Sequence, residues 1–151
     1  MGAKYGQLVQ FSDKLKRLND MEREQFIEGC VKEIAARLLA KVVKRTPVHE
    51  GKYPDGHNGG TLRRGWTGEK KQSTAKYAQN LSVKRKGNTY VIDIVNPVEY
   101  ASYVEYGHRT RNHKGWVEGK FMMTISVQEV EQMTPQILEK RLNKMLKEVI
   151  E

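Results

Sequence analysis

The sequence has few of the features on which disulfides, membrane spans and many catalytic sites depend. Its 151 residues contain one cysteine, Cys30, and one cysteine can form neither an internal disulfide nor a thiolate metal cage. No apolar run approaches the roughly 20 residues that a membrane-spanning helix needs, so we expect no membrane contact. The first residues, MGAKYGQLVQF, hold no continuous apolar stretch, and we therefore expect no signal peptide. These absences favour a protein of the cytoplasm or of a virus particle.

Motifs that carry catalysis or bind cofactors are also missing. The sequence contains no nucleophile elbow, no phosphate-binding loop and no HExxH pair. The four histidines lie in loops without metal-binding spacing, and Cys30 falls on the apolar face of a predicted helix, where a thiol is inert. We therefore predict no catalytic residue, no metal site and no cofactor. A small metal-dependent hydrolase remains as a third hypothesis, built on His49, His57, His108 and His113.

The positive charge is concentrated in the middle of the chain. The net charge is +9. Between Lys41 and Lys86 twelve Lys and Arg stand against three Asp and Glu, whereas the other residues sum to zero. Such a segment attracts phosphate, acidic protein surfaces or nucleic acid, although a solvated lysine-rich loop has the same composition. Tyr53, Trp66 and Tyr77 are interleaved with the basic residues, a pattern that also suits single-stranded nucleic acid.

Two amphipathic helices are predicted near the ends of the chain. Apolar residues recur at spacings of three and four between Asp20 and Pro47, which predicts a helix of about six turns. Thr134-Pro135 is typical of a helix start and predicts a second helix that runs to the end. The pattern of residues 121–130 is ambiguous, and we interpret it as a further helix. Residues 1–19 are predicted to be a loosely attached segment.

A loop and a hairpin are predicted between these helices. Residues 47–68 are rich in glycine and are expected to form a long loop, a feature that is usually functional. Leu81 and Val83 alternate with polar residues, Gly87-Asn88 suits a turn, and residues 89–96 are rich in β-branched side chains. The predicted fold is α+β in a single domain, 1–151, in which a long N-terminal helix and a C-terminal helix pack on a small, mainly antiparallel sheet.

Residues 99–107, EYASYVEYG, hold three tyrosines. They are predicted to form two helical turns that Gly107 ends, followed by an irregular basic loop at 108–120. Ala101 and Val104 are expected to face the sheet, and Glu105 and Tyr106 to face a neighbouring subunit. Tyrosine is favoured at protein interfaces because its ring is rigid and its hydroxyl is polar. A core helix whose tyrosines reach water at its edge is an equal alternative for Tyr100 and Tyr103.

Several segments occur in an order that resembles a known family. The first helix ends in KRTPV at 44–48, the glycine-rich loop leads to GTLRRGW at 60–66, and the hairpin leads to NPVEYASYVEYGHR at 96–109. GKFM at 119–122 and a terminal helix follow. From about Val31 to the C-terminus, this order resembles the gene-product-ten-like tail-component proteins of tailed phages and prophages.

The resemblance implies a non-enzymatic structural protein of the virion. Such proteins act as joining or completion subunits at the head–tail neck or tail end, as oligomeric rings with other phage neck or tail proteins, and are present in the host cytoplasm during assembly. A basic nucleic-acid-binding accessory protein is the alternative. The predicted subunit interface comprises Tyr103, Glu105, Tyr106, His108 and Arg109. Non-specific contacts with DNA or a neighbouring subunit are predicted for Arg63, Arg64, Lys70 and Lys71.

Overall fold

The computed structural model describes residues 20–48, 59–68 and 72–150, with side chains as far as Glu148. The predicted segment 1–19, much of the predicted loop at 47–68, and Lys70 and Lys71 lie outside these residues. The helices are α1 (Asp20–Arg45), α2 (Thr61–Gly65), α3 (Thr74–Gln79), α4 (Ala101–Tyr106) and α5 (Met122–Ile150). The strands are β1 (Lys84–Lys86), β2 (Thr89–Val91), β3 (Gly107–Arg109) and β4 (Trp116–Glu118). The predicted α+β class is confirmed.

Helix α1 follows the predicted pattern closely. Acidic residues occupy its first turn and basic residues its last turn, where each sign is favoured by the helix dipole. Its buried side chains are those of Cys30, Ala35, Leu39 and Val42. The helix ends at Arg45, and the hydroxyl of the next residue, Thr46, donates to the Val42 carbonyl at 2.6 Å. The apolar periodicity therefore identified the buried face of this helix, and Pro47 indicated its end.

Helix α5 is one continuous helix, so the predicted start at Thr134-Pro135 is wrong. Pro135 lies inside the helix, and the Thr134 hydroxyl donates to the Val130 carbonyl at 2.8 Å instead of capping a new helix. Pro135 cannot donate to the Glu131 carbonyl, but both residues are exposed, and water can satisfy that carbonyl. The helix prediction for residues 121–130 is confirmed from Met122 onward.

Charged groups join α1 to α5 across their contact. Glu129 accepts from Arg45 at 2.6 Å and from Lys41 at 3.0 Å. Hydrogen bonds from Arg45 and then Lys41 lower the pKa of Glu129 to about 2. Further along the helices, Arg141 binds Glu33 at 2.6 Å. These ion pairs fix the register of the two long helices.

The four short strands form two separate sheets instead of one. In the first hairpin, Lys84 pairs with Val91 and Lys86 with Thr89 in an antiparallel ladder, around the predicted Gly87-Asn88 turn. This ladder is shorter than predicted, because Leu81, Ile92 and Ile94 leave it and pack against the core. The second hairpin, β3 with β4, lies where an irregular loop was predicted.

Two short helices were also missed. Helix α2 occupies the end of the predicted loop and buries Leu62. Helix α3 is capped by Ser73, whose hydroxyl accepts from the Lys76 amide at 3.1 Å. A capping serine was visible in the sequence, but the helix is too short to show a full apolar stripe.

The core lies where α1, α2, α3 and the start of α5 meet. Trp66 is 5% exposed, and its indole nitrogen donates to the Thr46 hydroxyl at 2.8 Å. Asn96 ties the chain after β2 to the core, since its amide donates to the Leu62 carbonyl at 2.8 Å. Within the described residues, no helix has the length and apolar character that crossing a membrane would require. The buried residues of the core cluster are Ala35, Leu39, Val42, Leu62, Trp66, Ala78 and Met122.

Candidate subunit interface at the tyrosine helix and second hairpin

Helix α4 presents its tyrosines to solvent and its small apolar residues to the core. Ala101 and Val104 pack against the core cluster formed by the helices, and not against a sheet as predicted. Tyr100, Tyr103 and Tyr106 are 44%, 59% and 64% exposed. These exposed fractions favour a role of the three tyrosines in binding over a role at the edge of the core. Contiguous exposed apolar rings usually mark an interaction site.

A tight backbone crossing fixes the second hairpin to α4. Gly107 ends the helix with φ 86° and begins β3. A Cβ at Gly107 would lie 2.5 Å from the Val117 carbonyl oxygen, and one at Gly119 would lie 2.5 Å from the Glu105 carbonyl oxygen. Both positions therefore require glycine. The Lys120 amide donates to the Val104 carbonyl at 2.7 Å and closes the crossing.

Glu105 lies inside this crossing, so the expectation that it faces a neighbouring subunit is wrong. The residue is 7% exposed. Its carboxylate accepts from the amides of Met123 and Thr124 at 2.9 and 2.8 Å and from the Thr124 hydroxyl at 2.7 Å. These amides belong to the first turn of α5, where N–H groups lack partners within the helix. Glu105 thus caps α5 from a distant point in the sequence.

This cap replaces a local one. Phe121 precedes α5 in a left-handed conformation, with φ 49°, and its apolar side chain cannot accept a hydrogen bond. The Phe121 amide donates to the Glu105 carbonyl oxygen at 3.0 Å. Main chain and side chain of Glu105 therefore hold the end of the second hairpin and the start of α5 together.

Two exposed apolar side chains lie on strand β4 of the second hairpin. Trp116 is 57% exposed and Val117 44%. Partners across an antiparallel pair share a face, so Val117 lies beside His108 on one side and Trp116 beside Arg109 on the other. The His108 ring lies 5.6 Å from the Tyr103 ring. We call Tyr103, Tyr106, Trp116 and Val117 the aromatic patch.

Most of the predicted interface residues are therefore brought together. Tyr103, Tyr106 and Arg109 are exposed, and His108 is half-buried against Tyr103. Trp116 and Val117 are exposed on the two opposite faces of the second hairpin and were not predicted. The sequence did contain a signal for them, since an aromatic and a β-branched residue lie between Gly107 and Gly119, the two glycines that the fold requires.

The cationic side chains of the predicted basic loop are less accessible to a partner than the net charge of the loop suggests. Arg63 donates to the Thr46 carbonyl at 2.7 Å, and its Nε lies buried with no acceptor among the described residues. Arg64 is exposed and makes only long hydrogen bonds, to the Gly59 carbonyl and the Thr61 hydroxyl. Elsewhere in the basic stretch, cations bind acids outside it, as Arg85 does with Glu24 at 2.9 Å. Part of the segment's charge, that of Lys41, Arg45, Lys84 and Arg85, is therefore paired with acids outside the segment.

The residues considered for chemistry lie apart. Burial raises the pKa of the Cys30 thiol, as expected for a side chain on the buried face of α1. His108 and His113 are on the second hairpin, whereas His49 and His57 lie outside the described residues. Among residues 20–48, 59–68 and 72–150, no three histidine, cysteine or acidic side chains are grouped closely enough to hold a metal ion.

A cleft of about 700 Å³ separates α1 from the second half of α5. Phe26, Met133, Ile137 and Met145 supply apolar walls, and charged side chains rim it. The Arg141–Glu33 pair belongs to this rim. The cleft lies on the helical pair, away from α4 and the second hairpin.

Comparison with known proteins identifies a family. The family model described as "Bacteriophage HK97-gp10, putative tail-component" matches residues 9–107, about two thirds of the chain. This range starts earlier than the resemblance seen in the sequence and ends at the glycine that closes α4. No curated protein matches the chain, and no solved structure matches it. The chain belongs to the HK97 gp10-like family of bacteriophage tail components.

Proposed function

We propose that this protein is a structural subunit at the head–tail neck or tail end of a phage particle, where it joins or completes the tail. In this proposal it acts as a homo-oligomer, and the aromatic patch contacts an adjacent copy or another neck or tail protein. Membership in a tail-component family supports a structural role in the virion. In this proposal the subunit is present in the host cytoplasm while phage particles assemble.

The observation that carries the proposal is the aromatic patch on a rigid base. Tyrosine and tryptophan are enriched at the centres of protein interfaces, and three such exposed rings, with Val117, lie on α4 and the adjoining hairpin. The glycine crossing and the Glu105 cap hold their backbone in place. A preordered surface loses little entropy on binding, so more of its contact energy remains as affinity.

The alternative, a basic accessory protein that binds nucleic acid through the central stretch, has less support. The guanidinium of Arg63 is used inside the fold, and several neighbouring cations bind acids. In the proposal, Arg64 keeps the predicted role of contacting a neighbouring subunit or DNA.

The proposal is tested by removing the aromatic rings without unfolding the subunit. Tyr103→Ser combined with Tyr106→Ser changes two exposed side chains, so stability should move by no more than about 1 kcal/mol. Incorporation into particles should nevertheless fall strongly, measured by immunoblot of particles purified after complementation of a null mutant. Infectious titre should fall in parallel.

The matched control is Met21→Ser combined with Val95→Ser, two apolar residues of equal exposure, 63% and 64%, away from the patch. This control should be incorporated normally. Normal incorporation of the tyrosine variant would refute the proposed contact, and equal loss in both variants would assign the defect to general loss of surface apolarity.

A further inference from the structure

The second hairpin carries exposed cationic side chains in addition to Trp116 and Val117. From Arg109 to Lys120 the chain has four Lys and Arg and one Glu, a net charge of +3. In the part of the chain that the structure describes, these cations form no ion pair, whereas Arg45 and Arg141 each bind an acid on another helix. We call residues 110–115, TRNHKG, the basic tip.

The backbone of the basic tip is held by its own small polar side chains. The Thr110 hydroxyl donates to the Asn112 side-chain oxygen at 2.7 Å and accepts from the Gly115 amide at 3.0 Å. The Asn112 side-chain oxygen also accepts from the Lys114 amide at 3.0 Å. The side chains of Arg111, His113 and Lys114 are exposed and take no part in these bonds. The tip therefore presents cations from a backbone that needs little further ordering.

The composition of the basic tip points to a phosphate backbone and not to a protein surface. Residues 110–115 include no aromatic or aliphatic side chain, whereas the residues that dominate protein–protein binding include Trp and Tyr as well as Arg. Arg, Lys, Thr, Asn and backbone amides are the groups that bind DNA phosphates without reading sequence. The polyanion inside a tailed-phage particle is its DNA.

We propose that the basic tip contacts duplex DNA through its phosphates, with Arg111 and Lys114 as the main contacts. The two parts then face different partners: the apolar side chains of α4 and β4 face protein, and the cations of the basic tip face DNA. The tip lies after residue 107, beyond the range matched by the family model. The proposal requires only that the protein is part of a phage particle.

The test compares two variants that lose the same charge. Arg111→Ser with Lys114→Ser changes the tip, and Lys140→Ser with Lys144→Ser changes two exposed lysines on α5. Binding of the full chain to a labelled DNA duplex is followed by fluorescence anisotropy between about 50 and 200 mM salt. Each lost phosphate contact should reduce the slope of log K against log salt by about 0.9, so the tip variant should lose about 1.8. The α5 variant should keep a slope close to that of the unmodified protein.

Equal loss in the two variants would show that total charge and not the tip determines binding, and would overturn the proposal. An unchanged slope in the tip variant would overturn it as well. Because the tip variant retains the aromatic patch, its incorporation into particles should be normal. A failure of the DNA contact is thereby distinguished from a failure of the proposed subunit contact.

Discussion

Replacing Glu105 tests the crossing that holds the aromatic patch in place. Glu105→Ala removes three hydrogen bonds to a buried carboxylate and leaves two amides of the first turn of α5 without partners. A lost helix cap costs about 1 kcal/mol. Loss of a charged group at a helix N-terminus costs up to about 2 kcal/mol in partly buried sites, and unpaired buried amides add to this. We expect a total loss of about 2–4 kcal/mol.

Urea unfolding followed by far-ultraviolet circular dichroism measures this loss of unfolding free energy, and thermal unfolding followed in the same way gives the change in Tm. In a domain of this size, each kcal/mol lowers Tm by about 2–4 °C, so the variant should melt roughly 4–16 °C lower. Glu105→Gln keeps one oxygen acceptor and should lose about half as much. The control is Glu118→Gln, an exposed acid on β4, with an expected change within about 0.5 kcal/mol. A Glu105→Ala variant as stable as this control would refute the capping role.

Two further predictions test how α5 is built and joined to α1. Pro135→Ala should stabilise the protein by about 1–3 kcal/mol, because it restores a donor to the Glu131 carbonyl; no change in urea unfolding would indicate a helix that starts at Pro135. The lowered pKa of Glu129 means that its contribution to stability is complete above about pH 4.5 and is lost as the pH falls towards 2. Glu129→Gln should flatten the acid-unfolding profile in that window, whereas Glu131→Gln, on an exposed neighbour, should leave it unchanged. Identical profiles for the two variants would contradict the ion pair.

Local patterns were sufficient for α1 and the first turn, but not for the start of α5. The apolar spacing in α1 reports a buried face, and Gly87-Asn88 supplies the φ 61° conformation that the turn uses. Thr134-Pro135 has the same local chemistry as a helix start. The start of α5 lies upstream instead, where packing of Met122 and Ser126 against the core and the Glu105 cap begin the helix. Tertiary contacts therefore overrode a local signal.

The candidate site depended more on contacts between distant residues. The tyrosine spacing indicated an exposed surface, and Tyr103 and Tyr106 are indeed on it. Glu105 has an ordinary helical position in the sequence, and nothing there shows that its carboxylate meets amides 18 and 19 residues later. The total charge similarly pointed to the central stretch, because a sum along the chain does not show which cations bind acids.

The most direct test of the account is to ask what lies against Tyr106 in the assembled particle. A photo-crosslinking amino acid placed at Tyr106 should join the chain to a second copy or to another neck or tail protein when purified particles are irradiated. The same group at Asn88, in the exposed turn of the first hairpin, serves as the comparison and should give far less product. Efficient cross-linking at Asn88 with none at Tyr106 would contradict the assignment of the aromatic patch as the assembly contact.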